Sequence, residues 1–169
     1  MAQTSVLTQI PENTNFLQPT KFTFTIPGIP FANYFCQSII FPSISTTEAL
    51  QPTPFSDAYR YGDKLVFDPL TITFLVDEDF RVWEETFQWL SYLTNPVRFK
   101  EFEPRFSSRY YDGILTFNTN SNIPNLRIKF LNCHPTSLGS IQLSSSDSAL
   151  VTPFADLTIR YDRFIFERL

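Results

Sequence analysis

Cys133 and His134 are adjacent, and a thiol beside an imidazole is the raw material of a cysteine nucleophile and its base. His134 is the only histidine in the 169 residues, so any catalytic triad or imidazole-ligated metal would have to use it. Both residues sit in a strand-like run, where neighbours point to opposite faces and cannot converge on one substrate atom. A histidine at a strand end before Pro135 is the reading that remains. Asp77, Glu78 and Asp79 offer carboxylates to a hard cation, yet the calcium-loop spacing with its glycine and distal glutamate is missing. Their place ahead of an aromatic helix predicts capping instead. Tyr59, Tyr61, Tyr110 and Tyr111 could form a stacking platform for a sugar, although no polar cluster stands by to orient hydroxyl groups. There is no phosphate-binding glycine loop, dinucleotide fingerprint or paired-cysteine zinc motif. The expectation is therefore no enzyme: no catalytic, cofactor-binding or metal-ligating residue, and no cofactor.

The acidic run belongs to a strand-to-helix unit between Phe67 and Leu93. Ile72, Phe74 and Val76 alternate with Thr71, Thr73 and Leu75, which predicts a strand with one apolar face. Asp77 can accept a hydrogen bond from a free amide of the first helical turn, and Glu78 and Asp79 suit the positive end of the helix dipole. Phe80, Trp83, Phe87 and Leu90 then recur at helical spacing, a stripe that a sheet or a neighbouring subunit must cover. Asp77, Trp83, Phe87 and Trp89 are the residues expected to build this structural helix and brace the subunit.

The chain as a whole sets the bounds. At 169 residues and 43% hydrophobic content it can bury a core within a single domain. No apolar run resembles a secretion signal or approaches the roughly 20 residues that span a bilayer, so a soluble, unsecreted protein without membrane contact is expected. Cys36 and Cys133 read as reduced, buried thiols of a cytosolic protein rather than a disulfide. A net charge of −4 argues against adhesion to nucleic acid, which needs Lys and Arg to neutralise phosphates. The same charge suits a surface past which DNA slides without sticking. Aromatic content is high at 17%, with 19 Phe, which favours sheet structure and large interfaces.

Residues 1–18 are polar and irregular and read as an arm that is mobile alone or ordered against a partner. Residues 19–169 read as one domain. Lys21 to Ile26 alternates as a strand ended by Pro27-Gly28, and Tyr34 to Phe41 reads as a second strand. Residues 42–68 form a long extended loop with Pro42, Pro52 and Pro54 and a Tyr-Gly-Asp-Lys turn at Tyr61 to Lys64. Loops of this length have a job or are disordered. Phe55, Tyr59 and Tyr61 are good interface residues, so an extended arm or open hairpin is expected there, making contacts between subunits or rings. Asn95-Pro96 stops the helix, and Arg98 to Arg109 is a charged connection. Ile114 to Phe117 and Leu126 to Leu131 read as a hairpin, Pro135 to Gly139 as a turn, Ile141 to Leu143 as a short strand and Ser144 to Ser148 as a loop tip. Phe154 to Phe166 reads as one long closing strand. The fold class that follows is mainly β with one packed α-helix: an antiparallel β-sandwich or barrel-like sheet.

Phe67-Asp68-Pro69-Leu70, the strand into Val76-Asp77-Glu78, and the helix with Trp83 and Trp89 resemble the tail terminator proteins of T-even-type contractile-tailed phages, also known as tail completion and sheath stabiliser proteins. The likeness continues in order through Ile26-Pro27, Gln37-Ser38, Phe41-Pro42-Ser43-Ile44, Ser137-Leu138, Ser146-Asp147-Ser148-Ala149 and the closing aromatic strand. It spans roughly residues 20 to 167. The N-terminal arm and the 42–68 loop match less well.

The resemblance implies a tail-tube-type, ring-forming fold. It implies a homohexamer at the head-proximal end of a myovirus tail in the virion, assembled in the host cytoplasm. Its partners would be the tail tube protein below, the sheath protein outside and a neck or tail-completion protein above. Genomic DNA would pass through the lumen without specific binding, six copies together carrying about −24. Repeating tail tube proteins and tube-initiating proteins look like relatives with the same sheet and helix and stay open as the alternative. A carbohydrate-binding β-sandwich is the second alternative.

Overall fold

Leu70, Ile72 and Phe74 point to one side of a strand and are completely buried, so this apolar face sits at the centre of the molecule. The computed structural model describes residues 14–94, 108–144 and 152–169. In chain order these form β1 (Phe22–Thr25), α1 (Ala32–Phe35), β2 (Cys36–Ile40), β3 (Ile44–Pro52), β4 (Asp57–Phe67), β5 (Leu70–Leu75), α2 (Arg81–Thr94), β6 (Tyr111–Asn118), β7 (Pro124–Leu138), β8 (Phe154–Arg160) and β9 (Arg163–Arg168). The pairing is antiparallel throughout. Most of the N-terminal arm, the stop at Asn95-Pro96, most of the Arg98 to Arg109 connection and the tip after Ser144 lie outside the described residues.

Two sheets share β7. Its first half, Leu126 to Leu131, lies between β6 and β9, and β1 pairs with the other side of β6. Its second half, from His134, pairs with β8, followed in order by β5 and β2. The inward residues of both sheets, among them Phe24, Leu115, Phe130, Ile72, Leu157 and Ile159, form one core. The architecture is thus an antiparallel β-sandwich with a barrel-like shared strand and a helix packed against it.

Several local expectations need correction. The closing segment is two strands, because Tyr161 and Asp162 turn a corner while β7 turns with them at Asn132. Asn132 adopts a φ of 56°, which Asn tolerates better than bulkier residues, and its Nδ2 donates to Asp162 Oδ2 at 2.5 Å. Pro135 is no turn: it lies within β7 opposite Ile159, next to a register shift that accommodates its missing donor. His134 is accordingly mid-strand. The second strand begins only at Cys36, after the short turn of α1, and Ile141 to Leu143 is not a strand.

The helix also differs by one residue in the face it buries. Val82, Thr86 and Trp89 are fully covered, whereas Phe87 is half exposed and Trp83 only partly buried, stacked on Phe87 with ring centroids 5.7 Å apart. Phe80 stands outside α2 with a φ of 56°, its amide bonded to the Asp77 carbonyl at 3.0 Å. That tight turn delays the helix to Arg81 and rotates the aromatic stripe outward. The Asp77 side chain is not a cap here; its buried Oδ1 has no hydrogen-bond partner among the described residues. What selects the buried face is the sheet. The Trp89 indole lies edge-on to Tyr111 at 5.3 Å and donates to the Arg109 carbonyl at 3.2 Å. A Cβ on Gly28 would come within 3.0 Å of the same indole, so the close approach of chain and ring requires glycine there.

Candidate functional site

The 42–68 segment is a two-stranded antiparallel ribbon, β3 against β4, paired from Ile44 with Phe67 out to Pro52 with Asp57. Its strands make their extensive contacts with each other alone among the described elements. Every residue of β3 is exposed. The tip is Thr53 to Ser56, closed by the Thr53 amide on the Ser56 carbonyl at 3.2 Å and by the Thr53 hydroxyl on that carbonyl. The turn therefore lies at Phe55, not at Tyr61 to Lys64.

Residues 62 to 64 instead bulge opposite Thr47, where the register shifts between Thr46 with Leu65 and Glu48 with Tyr61. A Cβ on Gly62 would stand 2.0 Å from the Thr47 carbonyl oxygen, so only glycine fits this crossing.

Strand alternation gives the ribbon two unlike faces. Leu50 pairs with Tyr59 and Glu48 with Tyr61 on one face, while Ala49 with Arg60 and Gln51 with Ala58 form the other. Arg60 Nε donates to Gln51 Oε1 at 3.3 Å across the second face. The first face and the tip carry large apolar groups in solvent: Phe55 is 100% exposed, Tyr61 94% and Tyr59 73%. Leu50 joins them, and the sequence reading did not single it out.

The root is firmly held. The Ser43 hydroxyl donates to the Asp68 carboxylate, and the Asp68 amide bonds the Ser43 carbonyl at 3.1 Å. Arg160 donates to the Phe67 carbonyl at 3.2 Å and the Tyr161 hydroxyl to that of Asp68 at 2.9 Å. The Phe67 ring packs on Tyr161 and Phe164 at 6.0 and 5.6 Å. The ribbon is thus anchored at its base and largely exposed along its length.

A second feature is an apolar cleft of about 440 Å³ between the inner face of β1, β6 and β7 and the chain leaving β2. Phe22, Ile39, Phe41, Leu115, Phe117 and Phe166 line it. Nothing in the spacing of these residues announces the cleft, because they come from four separate segments.

The remaining candidates separate. Burial pushes the Cys133 thiol up to about 12, and its Sγ points to the Phe130 carbonyl, while His134 turns to the opposite side against the Tyr110 ring. No nucleophile and base are assembled there. Burial also pushes Cys36 up to about 11, and both cysteines are free. Asp79 pairs with Arg81 at 2.8 Å in solvent, and among the described residues no group of three acidic, Cys or His side chains could hold a metal. Tyr111 is turned under α2 and Tyr110 packs on His134, while Tyr59 and Tyr61 lie on the ribbon, so the four tyrosines do not share one element. No described helix is long and apolar enough to cross a membrane. On the outward face of the first sheet, Lys129 pairs with Asp112 at 2.9 Å and Arg127 with Glu167 at 3.8 Å. The Lys129 ammonium, bonded to the Asp112 carboxylate, holds that carboxyl below its usual range.

Residues 5–167 match the model of a family described as phage tail tube protein. The chain is 27% identical over 167 residues to the tail tube terminator protein of Enterobacteria phage T4, covering 91% of this chain and 90% of that one. Among solved structures it is similar to the tube terminating cap of the anti-feeding prophage, with a TM-score of 0.67, 11% identity and coverage of 98% and 99% of the two chains. A chain of the sixfold-symmetrised anti-feeding prophage baseplate gives a TM-score of 0.64 at 13% identity, covering 92% and 97%.

Proposed function

Since the chain belongs to the phage tail tube protein family, we propose that it is a structural virion protein forming a hexameric ring that terminates the tail tube of a contractile phage tail. The ring stabilises the last sheath ring and joins the tail to the neck. The observation that carries this reading is the near full-length likeness to a tail tube terminator on both chains. The geometry supports assembly. Strands β1, β2 and β9 each have a strand partner on one side only among the described elements, and such edges are covered when copies close into a ring. The ribbon adds an exposed aromatic surface that a monomer has no use for. No reaction is assigned, since neither Cys133 nor the acidic run forms a reactive constellation.

A test is a capping assay with polymerising tail tube protein. A terminator added substoichiometrically stops elongation and sits at one tube end, whereas a repeating tube protein is incorporated along the length. The alternative, a repeating or tube-initiating protein, draws on the likeness to the baseplate chain. It predicts continued growth in the same assay.

A further inference from the structure

Two features on separate parts of the chain are complementary. The tip of the ribbon presents Phe55, which is 100% exposed, and the cleft beside β1 presents an apolar hollow of about 440 Å³ that no described side chain of the same molecule fills. The charges beside them are opposite as well: Asp57 lies two residues beyond Phe55, while Arg168, two residues beyond Phe166 on the same face of β9, pairs with Leu126 next to the cleft-lining Phe117, and Glu167 between them turns to the other face against Arg127. Phe41 and Phe166 are 42% and 59% exposed at that cleft, so an incoming ring has apolar partners to desolvate.

We propose that the cleft lined by Phe22, Ile39, Phe41, Leu115, Phe117 and Phe166 receives the ribbon tip of a second copy of this chain, with Phe55 as the inserted side chain. The contact is head-to-tail, because the donor surface and the receptor surface are different parts of the molecule, and repetition of such a contact closes a ring or extends a filament. Full exposure of Phe55 rules out the chain's own cleft as its place in this structure. The proposal rests on the ring reading above and specifies one contact within it.

The test uses the full chain with photoreactive benzoylphenylalanine in place of Phe55. Equal amounts of isotopically light and heavy protein are mixed, irradiated and mapped by mass spectrometry. The expected product is a light-to-heavy crosslink from position 55 to peptides containing Ile39 to Phe41 or Phe166. Crosslinks to another surface, crosslinks within one chain only, or none while assemblies form would overturn the contact and leave the ring intact. Absence of any self-association of the unmodified protein would remove ring and contact together.

Phe55→Asp and Phe166→Asp should each weaken self-association by about tenfold or more, with melting temperatures unchanged. Asp57→Lys should weaken it too, and Arg168→Asp in the same chain should restore part of the loss. Undiminished association of both Phe variants would refute the insertion.

Discussion

The Tyr161 hydroxyl donates to the Asp68 carbonyl at 2.9 Å, joining the corner between β8 and β9 to the base of the ribbon. These residues are 93 positions apart in sequence, and their bond couples the closing strands to the surface proposed for assembly.

Tyr161→Phe removes this donor and should cost about 1 kcal/mol of folding stability. Burial, followed by the Asp68 carboxylate, raises the Tyr161 pKa from 10.0 to about 12. The folded state therefore holds the phenolic proton more tightly than the unfolded chain. Stability from this group is fully present below pH 10 and is lost as pH rises toward 12. Urea midpoints should fall more steeply between pH 9.5 and 11 in the wild type than in Tyr161→Phe, where roughly one titrating group is removed. Equal slopes would show that Tyr161 is not held as its geometry indicates.

Trp89→Ala should destabilise by about 3 to 5 kcal/mol, because the indole is fully buried against Gly28 and Tyr111. Trp83→Ala should cost less, about 1 to 2 kcal/mol, since it loses partial burial and one stack on Phe87. Denaturant titration of both variants checks the order, and the reverse order would mean that α2 buries its other face.

Gly28→Ala brings a methyl group to 2.9 Å from Tyr111 and 3.0 Å from Trp89. Two packed rings must yield, at a cost of about 1 to 3 kcal/mol. A thermal melt reads this directly.

Cys133 and Cys36 should both resist a thiol reagent at pH 8, with Cys133 the slower, since burial raises them to about 12 and 11. In urea the two rates should converge. Fast native labelling of Cys133 would contradict its place in the core.

Replacing Ala49 to Arg60 by an Asn-Gly turn shortens the ribbon beyond the Glu48 and Tyr61 pair without touching its root. The monomer should melt as before and lose ring formation. Gly62→Val, which drives a side chain into the Thr47 carbonyl, should give a milder form of the same split. Calorimetry together with sedimentation separates the two effects.

What the residues reveal by themselves tracks how local each cause is. The strands around Phe22 to Ile26 and Leu70 to Val76 are readable because one buried face imposes strict alternation. The corner at Asp162 is not, because its cause is a bond to Asn132 on another strand. The helix is legible from spacing, but Val82, Thr86 and Trp89 recur as regularly as Phe80, Trp83 and Phe87, and only Gly28 and Tyr111 decide between them. In the ribbon the aromatic residues stand out, whereas the turn at Phe55 and the bulge at Gly62 follow from cross-strand register. The cleft is wholly tertiary and left no local trace.

The most direct measurement is negative-stain imaging with mass determination of the purified protein over a concentration series, alone and with tail tube protein. A terminator ring predicts closed sixfold particles that do not lengthen alone and that sit at one end of each tube. Continuous tubes from this chain by itself, or a monomer that persists at every concentration and in the presence of tube protein, would contradict it.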